Sequence, residues 1–215
     1  MTGRGMLFSG DSVRAILAGR KTQTRRVILQ AINEVGEPAV AVCHCEADDS
    51  WIAWWGPPRD YEAETRRYYP NGGGFHPPLA PGDRIWVRET WAQCYAGEER
   101  GGRPCYRADV GIEGNATKIE ESKVIRWRPS IHMPQWAARL WLEVVDVRVQ
   151  QLQDISAKDV EAEGISQRED YPIKDAACGW HEPFAALWDS INAKCGHQWD
   201  ANPWVWAITF RRIER

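Results

Sequence analysis

The 215-residue sequence has no apolar run approaching the roughly 20 residues that a membrane span requires. Its opening, MTGRGMLFSGDS, has no apolar segment of the kind that drives secretion. The expectation is a cytoplasmic protein without a membrane partner. Cysteine is scarce: six residues at irregular spacings are too few and too scattered for a secreted disulfide scaffold, so reduced thiols are expected. Paired metal-ligand spacing is missing too. Neither Cys43-His44-Cys45 nor the set Cys178, His181, Cys195 and His197 has the spacing of a structural zinc site, so no metal is expected. No G-x-S-x-G elbow, Walker loop or G-x-G-x-x-G occurs, which removes the usual serine-hydrolase and phosphate-cradling chemistries and leaves no cofactor to expect. An excess of positive charge is likewise absent. A formal net charge of -3 argues against a protein that coats nucleic acid non-specifically, while leaving room for a local basic pocket and a small nucleotide ligand.

What the chain does have is apolar content of 43%, enough for one sizeable core, and thirteen tryptophans, all after residue 50. Rings of that size are mostly packing material whose N–H needs a partner; a minority can serve as stacking surfaces for a base. SGDSVRAILAGRK predicts a short helix capped by Ser9, Asp11 or Ser12 and stopped at Gly19. Residues 30–80 show no sustained period and read as an insertion. Strands are predicted at DRIWVRETWAQCY, RLWLEVVDVRVQQL and NPWVWAITFRRI, a hairpin region at GGRPCYRADV, and a rigid loop at WRPSIHMPQWAARL. Helices are predicted at DISAKDVEAEGI, with a capping-box-like start at Ser156, and at PFAALWDSINAKCG behind Pro183. This order lacks a βαβ alternation, so the fold class is α+β, a small β-barrel with flanking helices and long loop insertions.

One stretch stands out chemically. AGRKTQTRR, residues 18–26, gathers Arg20, Lys21, Arg25 and Arg26 around Thr22 and Thr24. Burial and neighbouring cations both disfavour an ammonium, so Lys21 is a candidate general base, and Thr24 is a hydroxyl that such a base could activate. The same residues also describe a basic surface that binds anions or solvates a helix end. Spacing leaves both open, since positions 21 and 24 share a face in a helix and oppose each other in a strand. Glu163, Glu161 and Asp159 are equally available acids by chemistry alone. In IHMPQW, His132 reads as a hydrogen-bonding loop residue, and Arg128, Met133 and Trp136 beside it are candidates to line a pocket for a flat heterocycle.

The blocks LFSGDSVRAILAGRKTQTRR, PGDRIWVRETW, VVDVRVQQLQDISAKDVEAEGI and NPWVWAITF resemble those of the ASCH superfamily, in particular its larger phage-type members. The resemblance implies a PUA-like β-barrel forming a single domain over 1–215, with insertions at about 30–80 and 95–125. In its functional positions the chain is similar to the bacterial N4-acetylcytidine amidohydrolases, whose RKTxT segment and later A-E-x-E helix map onto Lys21, Thr24 and Glu163. That likeness implies metal-independent hydrolysis of the N4-acyl amide of a small cytosine nucleoside, with possible room for bulkier acyl groups. Thr24 would attack with Lys21 as base, and Glu163 would orient the lysine or activate water. Arg25, Arg26, Arg128, His132, Met133 and Trp136 are the expected substrate-binding residues. The competing expectation is an RNA-binding module or ribonuclease whose phosphates meet Lys21, Arg25 and Arg26.

Overall fold

The computed structural model describes residues 3–31, 39, 41–45, 50–54, 75–95, 102–110, 123–124, 126–165 and 181–214. The strands are β1 (Arg4–Leu7), β2 (Gln23–Val27), β3 (Ala41–Cys45), β4 (Ser50–Trp54), β5 (Arg84–Arg88), β6 (Trp91–Tyr95), β7 (Arg103–Tyr106), β8 (Lys123–Val124), β9 (Trp141–Gln151) and β10 (Trp204–Ile213). The helices are α1 (Gly10–Leu17), α2 (Ala157–Ala162) and α3 (Glu182–Asn192). The architecture is mixed α+β.

Five strands make the main sheet in the order β1-β5-β9-β10-β2, with β1 parallel to β5 and the other neighbours antiparallel. Between β9 and the edge strand β2 lies β10, whose WVWAITF run is apolar on both faces because both are covered. Its even-numbered residues, Trp206, Ile208 and Phe210, join Ile85, Val87, Leu142 and Val144 in the larger core. Val205 faces the other way, into a second cluster with Leu152, Ile155, Val160, Phe184 and Trp188, beneath α2 and α3.

The expected closed barrel is not completed by strand pairing among the described residues: the ladder ends at β1 on one side and β2 on the other. A side chain spans the seam instead. Arg26 on β2 donates from Nη2 to the Leu7 carbonyl of β1 at 2.6 Å, and its guanidinium lies 5.5 Å from the Phe8 ring. An edge strand carrying a long cation is one way to leave a seam without inviting a further strand.

The predicted helices form with the caps read from their sequences. Ser9 accepts from the Ser12 amide at the start of α1, Ser156 accepts from the Asp159 amide at the start of α2, and Pro183 lies in the first turn of α3. The WRPSIHMPQWAARL stretch is two short 3-10 turns, Ser130–His132 and Gln135–Ala137. Two expectations need correction. Part of the 30–80 segment is an ordered hairpin, β3–β4, which holds Cys43, His44 and Cys45 and sets Trp51 edge-on to Trp206 with ring centroids 6.1 Å apart. Its strands are set by cross-strand pairing and not by a hydrophobic alternation, so periodicity misses them; residues 32–38, 40, 46–49 and 55–74 lie outside the described set. Cys94 and Cys105, expected as thiols, form a disulfide, because the pairing of β6 with β7 brings their Cα atoms to 5.9 Å. Cys178, one of the residues weighed and set aside as a metal ligand, lies outside the described residues, and among those described no group of three or more His, Cys, Asp or Glu is placed to hold a metal ion. No described helix is long and apolar enough to cross a membrane.

Ile208 is fully buried at the middle of β10, directly opposite Thr24 on β2 and Val147 on β9. Ile208→Ala is expected to cost about 2 to 5 kcal/mol, read as a lowered urea midpoint with an unchanged slope.

Candidate active site

The basic stretch that follows α1 is turned inward. Gly19, at φ 71°, ends the helix, and the chain then runs so that the Lys21 amide bonds the Ala15 carbonyl at 3.1 Å. Thr22 N donates to the Ala162 carbonyl at the end of α2, at 2.8 Å, and Lys21 and Glu163 form an antiparallel bridge. The contact is tight. Gly164 holds φ 86°, and a Cβ there would come within 2.8 Å of the Cβ atoms of both Ala15 and Lys21. Only glycine lets α1, Lys21 and the end of α2 meet at this distance.

From this bridge the side chains sort by strand alternation. Cross-strand partners share a face, so Gln23 and Arg25 stand with Thr209 and Ala207 on the helix-covered side of the sheet. Thr24 and Arg26, paired with Ile208 and Trp206, stand on the core side. On the helix side, Lys21 Nζ lies 2.6 Å from Glu163 Oε2 and also donates to the Glu163 carbonyl at 2.9 Å. Arg25 Nη1 donates to Glu163 Oε1 at 3.0 Å and to Gln23 Oε1 at 2.7 Å. Arg25 Nη2 sits 3.2 Å from Asp159 Oδ2, and Asp159 Oδ1 in turn accepts from Arg148 Nη2 at 3.2 Å. A ladder of alternating charge thus runs from the interior to the surface. The Lys21 and Glu163 side chains are 5% and 6% exposed, whereas Arg148 and Asp146 at the far end are 46% and 53% exposed.

Burial is the main influence on the Lys21 ammonium and lowers its pKa; the attraction of Glu163 only partly offsets this, and Arg26 and Arg25 add to the lowering. Asp159 is pushed up by partial burial but pulled further down by Arg25 and Arg148, so that its net shift is downward. A buried amine that sheds its proton more readily than a free lysine, 2.6 Å from a carboxylate oxygen, has the geometry that proton transfer needs.

The expectation of a solvated basic surface does not hold for these cations. Lys21 and Arg25 are buried and ion-paired because the chain lays them between the sheet and α2, and Arg26, on the other face, is committed to the Leu7 carbonyl. Among the residues singled out from the sequence, Lys21 and Glu163 meet directly with Arg25. Thr24 is buried beside them in sequence but turned to the opposite face, and its hydroxyl makes no hydrogen bond among the described residues. Arg128, Met133 and Trp136 gather around Trp91 and His132 is exposed at the end of the Ser130–His132 turn, and none of the four makes a hydrogen bond, ion pair or ring contact to Lys21 or Glu163 among the described residues. The Arg128 guanidinium lies 5.2 Å from the Trp91 ring, and Trp136, 52% exposed, meets that ring edge-on. Met133 is core material, 1% exposed, its sulfur accepting from the Glu89 amide at 3.2 Å. Sequence reasoning passed over Gln23 and Arg148, and read Gly164 only as the stop of the DISAKDVEAEGI helix. The alternation Lys21, Gln23, Arg25 was there to be read once the stretch was taken as a strand.

Two outcomes follow. Gly164→Ala meets both the positive φ and the Ala15 and Lys21 side chains, and is expected to destabilise by about 1 to 3 kcal/mol, measured by thermal unfolding. Because the folded-state pKa of Lys21 is lowered, the unfolded chain binds more protons between that lowered value and the ordinary 10.5. Stability from this group is therefore lowest at pH below the folded value and recovers as pH rises towards 10.5, a slope that Lys21→Met removes in denaturation measured across that range.

Neither a family model nor a curated protein matches the chain. Among solved structures, the crystal structure of an Enterococcus faecalis protein described by the family model DUF984 aligns with 100% of this chain and 77% of its own, at 11% identity and a TM-score of 0.41.

Proposed function

We propose that the protein is an ASCH-type amidohydrolase, its curled sheet an ASCH barrel left open at the β1/β2 seam, that cleaves the N4-acyl amide of acylated cytosine nucleosides to cytidine and a carboxylate. The observation that carries this reading is the buried Lys21–Glu163 pair, 2.6 Å apart and joined across 142 residues of sequence, which unites two of the three residues the family resemblance implies. Burial that disfavours the ammonium beside a carboxylate is a setting in which proton-transfer groups are found.

The reaction requires a nucleophile to bond the acyl carbon while the carbonyl electrons move to oxygen, and then the C–N4 bond to break with a proton delivered to the departing amine. The Lys21–Glu163 pair serves both ends. As amine and carboxylate it accepts the proton of the attacking group, and as ammonium it returns a proton to N4. Water is the nucleophile that the geometry favours, since strand alternation turns the Thr24 hydroxyl away from the face that carries Lys21. Attack by Thr24 through an acyl-enzyme is the second route, and the unpartnered state of its hydroxyl among the described residues is what favours it. The internal pairing of Lys21, Arg25 and Arg26 weighs against the RNA-binding alternative, because phosphate contacts need cations that are free to meet them.

The test is the ultraviolet change as N4-acetylcytidine becomes cytidine, with and without a chelator, extended to longer acyl chains and to deoxycytidine. Lys21→Ala and Glu163→Gln are each expected to lower kcat by about 100- to 10,000-fold. Thr24→Ala with most turnover retained selects water; a comparable loss selects the threonine. Absence of turnover with every acyl cytosine tried would overturn the proposal.

A further inference from the structure

The alternating ladder behind the Lys21–Glu163 pair has a feature that simple glue between helix and sheet does not require. Glu163 divides its two oxygens between two cations, Oε2 on Lys21 at 2.6 Å and Oε1 on Arg25 at 3.0 Å. Arg25, its side chain wholly buried, is itself divided between Glu163 through Nη1 and Asp159 through Nη2. The Phe184 ring packs over the guanidinium with 5.8 Å between its carbon and the ring centre, and Gln23 takes a second bond from Nη1 at 2.7 Å. Arg25 therefore cannot slide onto both oxygens of Glu163, and Glu163 cannot turn both oxygens to Lys21.

We infer that Arg25 is a positioning residue for the Lys21–Glu163 pair, and that Asp159, held by Arg148 and the Ser156 cap, sets how much of the Arg25 charge falls on Glu163. Arg25 keeps one carboxylate oxygen occupied so that the other meets the lysine as a single acceptor. Asp159 draws part of the Arg25 charge away toward the surface. The inference rests on the reading of Lys21 and Glu163 as the reacting pair. The charged groups around Lys21 are Arg20, which bonds the Gly164 carbonyl, Arg25 and Arg26 on β2, Glu163 after α2, and, one step further, Asp159 on α2 and Arg148 on β9. Of these, Arg25 and Asp159 act on the pair with opposite signs. Removing Arg25 leaves Glu163 wholly to Lys21 and strengthens the ammonium; removing the Asp159 charge puts all of Arg25 on Glu163 and weakens it.

The experiment follows the Lys21 Nζ resonance against pH in protein carrying 15N-lysine, assigned by its loss in Lys21→Met. Arg25→Gln is expected to raise the Lys21 midpoint by about 1 to 3 units, and Asp159→Asn to lower it. Arg25 and Asp159 acting only as packing would lower the melting temperature and leave the midpoint where it is. An unmoved midpoint, or shifts of the same sign in both variants, overturns the inference. Should Arg25→Gln not fold, Asp159→Asn decides alone, since Asp159 lies at the partly open end of the ladder: its midpoint falls, or the inference is overturned. Turnover of N4-acetylcytidine is measured on the same samples. Opposite shifts without turnover uphold the role of Arg25 and remove the hydrolase reading; turnover with an unmoved midpoint does the reverse.

Discussion

The structure turns on the burial of two opposite charges at the point where α1, β2 and α2 meet. An isolated ammonium or carboxylate in this position would be costly, and the pair is tolerable only because each partner has further hydrogen bonds: Lys21 to the Glu163 carbonyl, Glu163 to Arg25. That requirement propagates outward. Arg25 needs Gln23 and Asp159, Asp159 needs Arg148 and the helix cap, and the chain of partners ends only where solvent takes over. A charge placed at position 21 thus dictates residue types on α2, β2 and β9.

The sheet supplies the frame for this arrangement by keeping its two faces chemically distinct. On the core side β10 contributes Trp206, Ile208 and Phe210; on the helix side the rows Asp146–Thr209–Gln23 and Arg148–Ala207–Arg25 run across three strands. Ala207 is small where the flanking arginines converge, which leaves room for their guanidinia beneath α2 and α3. A second network of the same style stands elsewhere in the chain: Glu89, 1% exposed, is gripped by Arg139 at 2.9 Å through both oxygens, and Arg139 also reaches Asp109 at 2.7 Å and stacks 4.0 Å above Tyr106. Burial pushes the Glu89 carboxyl up despite that grip. This second cluster carries its arginine between three elements, and each cluster holds one group whose charged form burial disfavours, Glu89 in the second and Lys21 in the first. The proposed reaction is placed at the first because Lys21 and Glu163 are the residues that the family resemblance implies.

Much of the architecture was readable from residues alone. Ser9 and Ser156 marked helix starts, Gly19 marked a stop, and the apolar runs of β5, β9 and β10 marked strands, because caps and periodicity are local properties. The β3–β4 hairpin and the Cys94–Cys105 bridge were not readable, since each depends on a partner strand that the local pattern does not name. The pocket residues drawn from IHMPQW illustrate the same limit: Met133 and Trp136 are near neighbours in sequence, yet one is sealed beneath Glu89 and the other stands 52% exposed against Trp91.

By itself the sequence determined which residue types were available for chemistry, a lysine and two hydroxyls among arginines and an acid-rich helix far downstream, and where the three helices and the strands β5, β9 and β10 would fall. Only the tertiary structure decided that the cations would be interior instead of solvated, that Glu163 and not Glu161 would meet Lys21, and that Thr24 would face away. The physical reason is that a strand assigns alternate side chains to opposite faces, and which face is buried against which helix is a property of the packed sheet, invisible in any stretch of chain taken alone.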